Sequence, residues 1–189
     1  MSISKLFLSK DDDGFLLTRN EFAEADFAEH WRYERIRGVL SLMPPTGEEH
    51  TDTWEPIRDH LVIYKTKHPD HVHRVVTEAW IAVDDQSDRI ADLAVYLKSG
   101  HGSIPQRIPE LIVEVVSQGP EDRKRDYEDK RADYQRIGVR EYVIVDRFEQ
   151  RVTVLQLIEG EYAEAVLGPD DKYTSSLLPG LEIPLQGII

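Results

Sequence analysis

The chain has no cysteine among its 189 residues, which excludes disulfide scaffolds, thiolate nucleophiles and cysteine-ligated zinc together. It also lacks any run of 18 apolar residues, so no segment reads as a membrane-spanning helix. The opening MSISKLFLSKDDDG has no apolar stretch followed by a small-residue cleavage site, and a cytoplasmic location without membrane association is expected. Basic residues are scarce: 23 Lys and Arg face 36 Asp and Glu, for a formal net charge of -13. That balance favours solubility and argues against a broad basic footprint for nucleic acid. No internal repeat, low-complexity stretch or Gly/Ser/Pro linker divides the sequence, so a single domain over 1–189 is expected, long enough to build a core without disulfides. No glycine-rich phosphate loop precedes a helix, and no Gly-x-Ser-x-Gly elbow surrounds Ser117, whose better place is near a helix N-terminus.

What the sequence does have is concentrated in residues 109–142, PELIVEVVSQGPEDRKRDYEDKRADYQRIGVREY. An apolar strand at 111–116 is interrupted only by Glu114. After the breaker Ser117-Gln118-Gly119-Pro120, a helix is predicted to Ile137, with proline in its first turn and Gly138 just past its end. At 100° per residue Tyr127, Tyr134 and Ile137 share a stripe, and Lys130 falls between them. Glu and Lys are almost never fully buried unless paired, so both Glu114 and Lys130 need an explanation. Two bland ones exist. Glu114 can sit on the solvent face of an alternating strand, and Lys130 can snorkel or pair with Asp126 at i,i+4.

The rest of the chain frames that stretch. Thr18-Arg19-Asn20-Glu21 reads as a capping box for a short helix to about His30 that buries Phe22 and Phe27. Residues 31–43 read as a hairpin turning at Arg37-Gly38. A second helix is predicted to begin near Thr53, with Pro56 in its first turn and Ile57, Leu61 and Tyr64 buried. Residues 72–83 suit strands, 84–88 a turn, and 90–97 a strand carrying Asp92 near its start. A loop at 98–108 returns to the central strand. After the helix, residues 141–146 complete a βαβ unit, residues 152–157 and 162–167 form antiparallel strands, and the apolar tail LLPGLEIPLQGII docks. The sum is a mixed α/β sheet with the central helix on one face.

Asp92 and Glu114 lie on neighbouring candidate strands. Two ionised carboxylates side by side repel, so such a pair either shares a proton or holds a hard cation such as Mg²⁺ or Mn²⁺. Lys130 would add a positive group beside it, a constellation that suits phosphodiester hydrolysis. Other groupings are weaker. His68, His71 and His73 invite a zinc reading, but no further His or Cys pattern repeats nearby, and a polar loop entering a strand accounts for them. The run Arg123-Lys124-Arg125 is offset by Glu121, Asp122 and Asp126 and reads as a solvated helix face.

The segments YERIRGVLSLMPP, RIADLAVYL, PELIVEVVSQGPEDRKRDYEDKRADYQRIGVREYVIVD and SSLLPGLEIPL resemble the Uma family of restriction endonucleases in the PD-(D/E)xK superfamily, over roughly residues 33–185. The resemblance implies an α+β, restriction-endonuclease-like fold: a mixed β-sheet flanked by helices, with an antiparallel C-terminal hairpin. It also implies a metal-dependent endonuclease acting on DNA with Mg²⁺ or Mn²⁺. Matched residue by residue, the family's aspartate falls on Asp92 and its strand glutamate on Glu114. The lysine usual two positions later is replaced by Val116, and the family's helix lysine maps to Lys130. The match adds Glu34 as a further site carboxylate, against a reading as a solvent-facing hairpin residue. His50 matches a common family histidine without an assigned role. Residue 91 is Ala where the family has Pro, and Ser117 is followed by Gln118-Gly119 rather than Ser-Pro. The expected ligands are Asp92, Glu114 and the carbonyl of Val115, with Lys130 orienting water. A rival of another class is a catalytically silent assembly module that works through a protein partner, in keeping with the acidic charge. A homodimer through the C-terminal strands is also expected.

Overall fold

The computed structural model describes residues 5–104 and 106–189. The chain begins with β1 (Phe7–Leu8), a 3-10 turn at Lys10–Asp12, α1 (Arg19–Glu24) and β2 (Asp26–Phe27), which lies parallel to β1. The capping box of α1 forms as predicted: the Thr18 hydroxyl accepts from the Glu21 amide, and the Glu21 carboxylate accepts from the Thr18 amide at 2.8 Å. The helix nevertheless stops well short of His30. The Asp26 amide leaves the helical path to donate to the Leu6 carbonyl at 2.8 Å, so Phe27 packs from a strand.

The hairpin of β3 (Arg32–Ile36) and β4 (Val39–Met43) turns at Arg37 and Gly38, whose φ angles of 54° and 82° are those of a primed turn. Next comes α2 (Glu48–Lys67), which starts earlier than predicted and carries Pro56 in its interior. Glu48 and Glu49 suit the positive end of the helix, and they extend it upstream of the proline that seemed to mark its start. Its buried stripe is the predicted Ile57, Leu61 and Tyr64.

The long hairpin of β5 (Val72–Asp84) and β6 (Ser87–Leu97) leads through a loop to β7 (Leu111–Val115). The central helix runs as α3 (Pro120–Lys124), a π-turn at Arg125–Asp129 and α4 (Lys130–Ile137), ending at Gly138 with φ 85°. Then follow β8 (Glu141–Asp146), parallel to β7, and the antiparallel β9 (Arg151–Ile158) and β10 (Glu161–Leu167). The tail docks as a separate hairpin of β11 (Lys172–Ser175) and β12 (Leu178–Pro184). The fold is therefore α+β, a mixed sheet flanked by few helices with an antiparallel C-terminal hairpin, as the sequence led us to expect.

Side-chain alternation sorts the sheet into two faces. Val113, Val115, Leu93 and Val95 pack with Ile57 and Leu61 of α2 and with Leu178 and Ile183 of the C-terminal hairpin. Ile112, Val116, Ala94 and Tyr142 pack under Tyr134 of α4. Glu114 falls on this second face by the same alternation, and it is 2% exposed. The solvent-facing reading of Glu114 is thereby excluded.

One feature of the sheet positions the site. Along one edge β6 pairs with β5; along the other it pairs with β3 at Arg35–Asp88 and with β7 only from Leu93–Val113 onward. Between those two ladders β3 and β7 part. The backbone of β6 from Ile90 to Asp92 has lost its strand neighbour there, although buried amides and carbonyls need partners.

Candidate active site at the split in the sheet

Charged side chains fill the split. The Ile90 amide donates to Glu34 Oε1 at 2.9 Å, and Lys130 Nζ donates to the Ile90 carbonyl at 2.8 Å. Glu114 Oε2 faces the Asp92 amide at 3.4 Å, and in return Asp92 Oδ2 accepts from the Val115 amide at 2.8 Å. Side chains thus stand in for the missing ladder, which is why a lysine and three carboxylates lie at 4% exposure or less.

The predicted residues Asp92, Glu114, Lys130 and Glu34 all converge here. Lys130 Nζ is 2.8 Å from Glu114 Oε1, 3.7 Å from Glu34 Oε1 and 4.0 Å from Asp126 Oδ1. The bland pairing with Asp126 exists, but it is the longest of the three. Glu114 Oε1 also accepts from the Tyr134 hydroxyl at 2.8 Å. Arg32 Nη1 holds Asp92 Oδ1 at 3.0 Å, and Arg89 bridges Glu34 at 3.0 Å and Asp133 at 2.8 Å. Val115 contributes its amide to Asp92, while its side chain is core.

These contacts pull the ionisation equilibria apart. Burial pushes the Glu114 carboxyl up to about 8; Lys130 opposes this, and the Asp92 and Asp126 charges add to it. Burial also acts to raise Asp92, but the His50 ring, Lys130 and Arg32 outweigh it and hold that carboxyl far below the usual range. For Glu34, burial is likewise overcome by Lys130 and Arg89, so its pKa falls. Burial disfavours the Lys130 ammonium, yet Glu114, Glu34 and Asp126 together raise its pKa. Two neighbouring carboxyls pushed in opposite directions are an arrangement typical of acid–base sites.

Several residues have roles here that the sequence did not reveal, among them Asp126, expected only as the i,i+4 partner of Lys130. Asp126 is 1% exposed and points inward from the π-turn, where the Lys130 amide bonds back to the Arg125 carbonyl. Burial raises its pKa against the pull of Lys130 and Arg125. Arg125 was expected on a solvated face; instead it folds over Asp122 at 2.8 Å and Asp126 at 3.2 Å. Arg32 lies between Trp31 and Tyr33 as an ordinary solvent-facing strand residue would, and Arg89 follows the polar turn that ends at Asp88, so nothing in the sequence singled them out. Tyr134 was legible as buried but not as a donor to Glu114. Ser117, expected near a helix N-terminus, precedes the Gly119 cap, and its Oγ lies 3.5 Å from His50 Nδ1. The zinc reading also fails: His71 Nε2 contacts the Leu177 carbonyl at 2.7 Å, holding the tail.

Two cavities meet at this cluster. One of about 790 Å³ is bounded by Glu34, Arg89, Arg125 and Asp133, and one of about 560 Å³ by Arg32, His50, Ser117 and Arg125. Asp92, Glu114 and Lys130 sit just behind their walls.

As to a metal, among the described residues no three His, Asp or Glu side chains already stand in ligand geometry. The donors are suitable all the same. Asp92 offers an anionic oxygen beside Glu114, a carboxyl that a bound dication would deprotonate, and two buried atoms of the cluster, Asp126 Oδ2 and His50 Nε2, have no hydrogen-bond partner among the described residues. Residues 19–186 match the Uma2 family, described as "Putative restriction endonuclease". The chain belongs to this family. A crystal structure described as "a putative nuclease belonging to DUF820" from Anabaena variabilis has the same fold as this Uma2 protein, with a TM-score of 0.72 and 18% identity over 91% of this chain and 97% of that one. No curated protein matches the chain.

Proposed function

We propose that this Uma2 protein is a divalent-metal-dependent endonuclease that hydrolyses phosphodiester bonds of DNA. The observation that carries the reading is the buried meeting of Asp92, Glu114 and Lys130 at the split between β3 and β7, beneath cavities whose walls carry both arginines and carboxylates. Asp92, Glu114 and the Val115 carbonyl would hold Mg²⁺ or Mn²⁺. When bound, the ion would polarise a phosphoryl oxygen and acidify a water.

The remaining work belongs to the chain. Lys130 Nζ donates to Ile90 O and Glu114 Oε1, and its third proton, with Glu34 at 3.7 Å and Asp126 at 4.0 Å, would orient an attacking water. Glu114 and Glu34 fix that ammonium from two sides, and Tyr134 fixes Glu114 in turn. Arg32 and Arg125 stand in the cavity wall, where a phosphate would meet a guanidinium. With an excess of acidic groups elsewhere, DNA binding is weak or selective rather than general.

The test is incubation of the full chain with plasmid and single-stranded DNA in the presence of Mg²⁺ or Mn²⁺. Cleavage by the natural sequence that falls at least about a hundredfold in Asp92→Asn and Lys130→Met supports the reading. No cleavage returns the protein to the rival class of silent assembly modules, and equal cleavage by the variants rejects Asp92 and Lys130 as the site.

A further inference from the structure

His50 is the third residue of α2 and is 7% exposed. Its Nε2 lies 3.0 Å from Asp92 Oδ2, within ion-pair distance but outside hydrogen-bond geometry, and it has no hydrogen-bond partner among the described residues. A buried nitrogen this close to a carboxylate but misaligned with it needs another reason for its orientation. A shared cation supplies one. Two donors at right angles on one ion, each about 2.1 Å from it, lie about 3.0 Å apart, and each points about 45° away from the line between them. The observed separation matches, and a contact outside hydrogen-bond geometry is what such an arrangement requires.

The surroundings agree. Asp92 is clamped by the Val115 amide at 2.8 Å and by Arg32 at 3.0 Å, so Oδ2 is held in place against the ring. On the far side of the imidazole, Nδ1 faces Ser117 Oγ at 3.5 Å. With a proton on Nε2 the ring faces Asp92 as a donor, whereas a proton on Nδ1 directed at an outer oxygen leaves Nε2 with its lone pair free, as ligating histidines are usually arranged. Ser117 follows the strand that carries Glu114, and both His50 and Ser117 line the 560 Å³ cavity, which gives an ion a way in. No other histidine among the described residues comes within ion-pair distance of a site carboxylate.

We propose that His50 is a metal ligand, binding through Nε2 beside Asp92. The donor set is then mixed nitrogen and oxygen, and the ion it favours is a transition dication such as Mn²⁺ rather than Mg²⁺. This rests on the metal-dependent reading above and extends it, since that reading needs only the oxygens of Asp92, Glu114 and Val115.

Pulsed electron paramagnetic resonance on the full chain loaded with Mn²⁺ reads nitrogen ligation directly, without turnover. The expected result is a coupling from a directly bound imidazole nitrogen that changes when histidine alone is labelled with ¹⁵N. In His50→Gln the coupling disappears and the Mn²⁺ dissociation constant rises at least about tenfold, while that for Mg²⁺ moves by less than about threefold. Mn²⁺ bound to the natural sequence without a nitrogen coupling overturns the His50 assignment and leaves the carboxylate site standing. A coupling that survives in His50→Gln overturns it as well. Failure of the natural sequence to bind Mn²⁺ overturns both. Should His50→Gln fail to fold, the Mn²⁺ spectra of the labelled and unlabelled natural chain decide the matter alone.

Discussion

Lys130 is 3% exposed and is held by one carbonyl and three carboxylates, so its removal leaves several buried anions without their cation. Breaking a buried pair from one side costs about 3–5 kcal/mol. Lys130→Met should therefore lose about that much stability in urea unfolding followed by circular dichroism; a change below about 1 kcal/mol would mean that Lys130 does not neutralise the cluster. At this scale the sequence was legible where a charged residue interrupted an apolar pattern. Glu114 in its strand and Lys130 in its stripe stood out for that reason. Arg32, Arg89 and Asp126 did not, because the surface is the ordinary place for such residues, and their burial follows from a gap between strands that only pairing reveals.

Elements were legible wherever local chemistry determined them: the cap at Thr18, the Arg37-Gly38 turn and the stop at Gly138 are all as predicted. The misses have local causes too. The start of α2 was hidden by Pro56, and the π-turn that turns Asp126 inward has no compositional signature. Docking of the C-terminal hairpin depends on a carboxyl that no local pattern marks as buried. Glu141 of β8 is fully buried and accepts from the Tyr173 hydroxyl and, at 2.9 Å, from Ser175 Oγ, both on β11. Burial raises its pKa above 4.5, although those hydroxyls pull it down. A carboxyl raised on folding keeps its proton in the native state after the unfolded chain has released it. Its effect is thus absent at acid pH, and stability is lost as pH rises above about 4.5. Glu141→Gln should be more favourable relative to the natural sequence at pH 8 than at pH 5 in denaturant titrations. An equal difference at both values would show that Glu141 is not held protonated by the fold.

Across the whole molecule the charge of -13 conflicts with a role on DNA unless cationic groups gather where the phosphate must lie. Arg32, Arg125 and Arg147 border one cavity among Glu48, Glu49 and Asp122, and Arg37, Arg89 and Arg125 border the other, where carboxylates including Glu34, Glu121, Glu128, Asp129 and Asp133 outnumber the cationic groups. A bound dication would tip that local balance and so would tie the proposed substrate affinity to metal loading. Among the described residues no helix is long and apolar enough to cross a membrane. The sheet order was legible only in part: the βαβ unit could be read, whereas the parting of β3 from β7 along β6 is a long-range event that no local pattern encodes. That parting makes the site, so the most direct test asks whether the split holds a dication. Calorimetric titration of Mn²⁺ into the full chain should show about one site per chain, weakened at least about tenfold in Asp92→Asn. Binding that is absent, or identical in the two proteins, would contradict a metal site at the split.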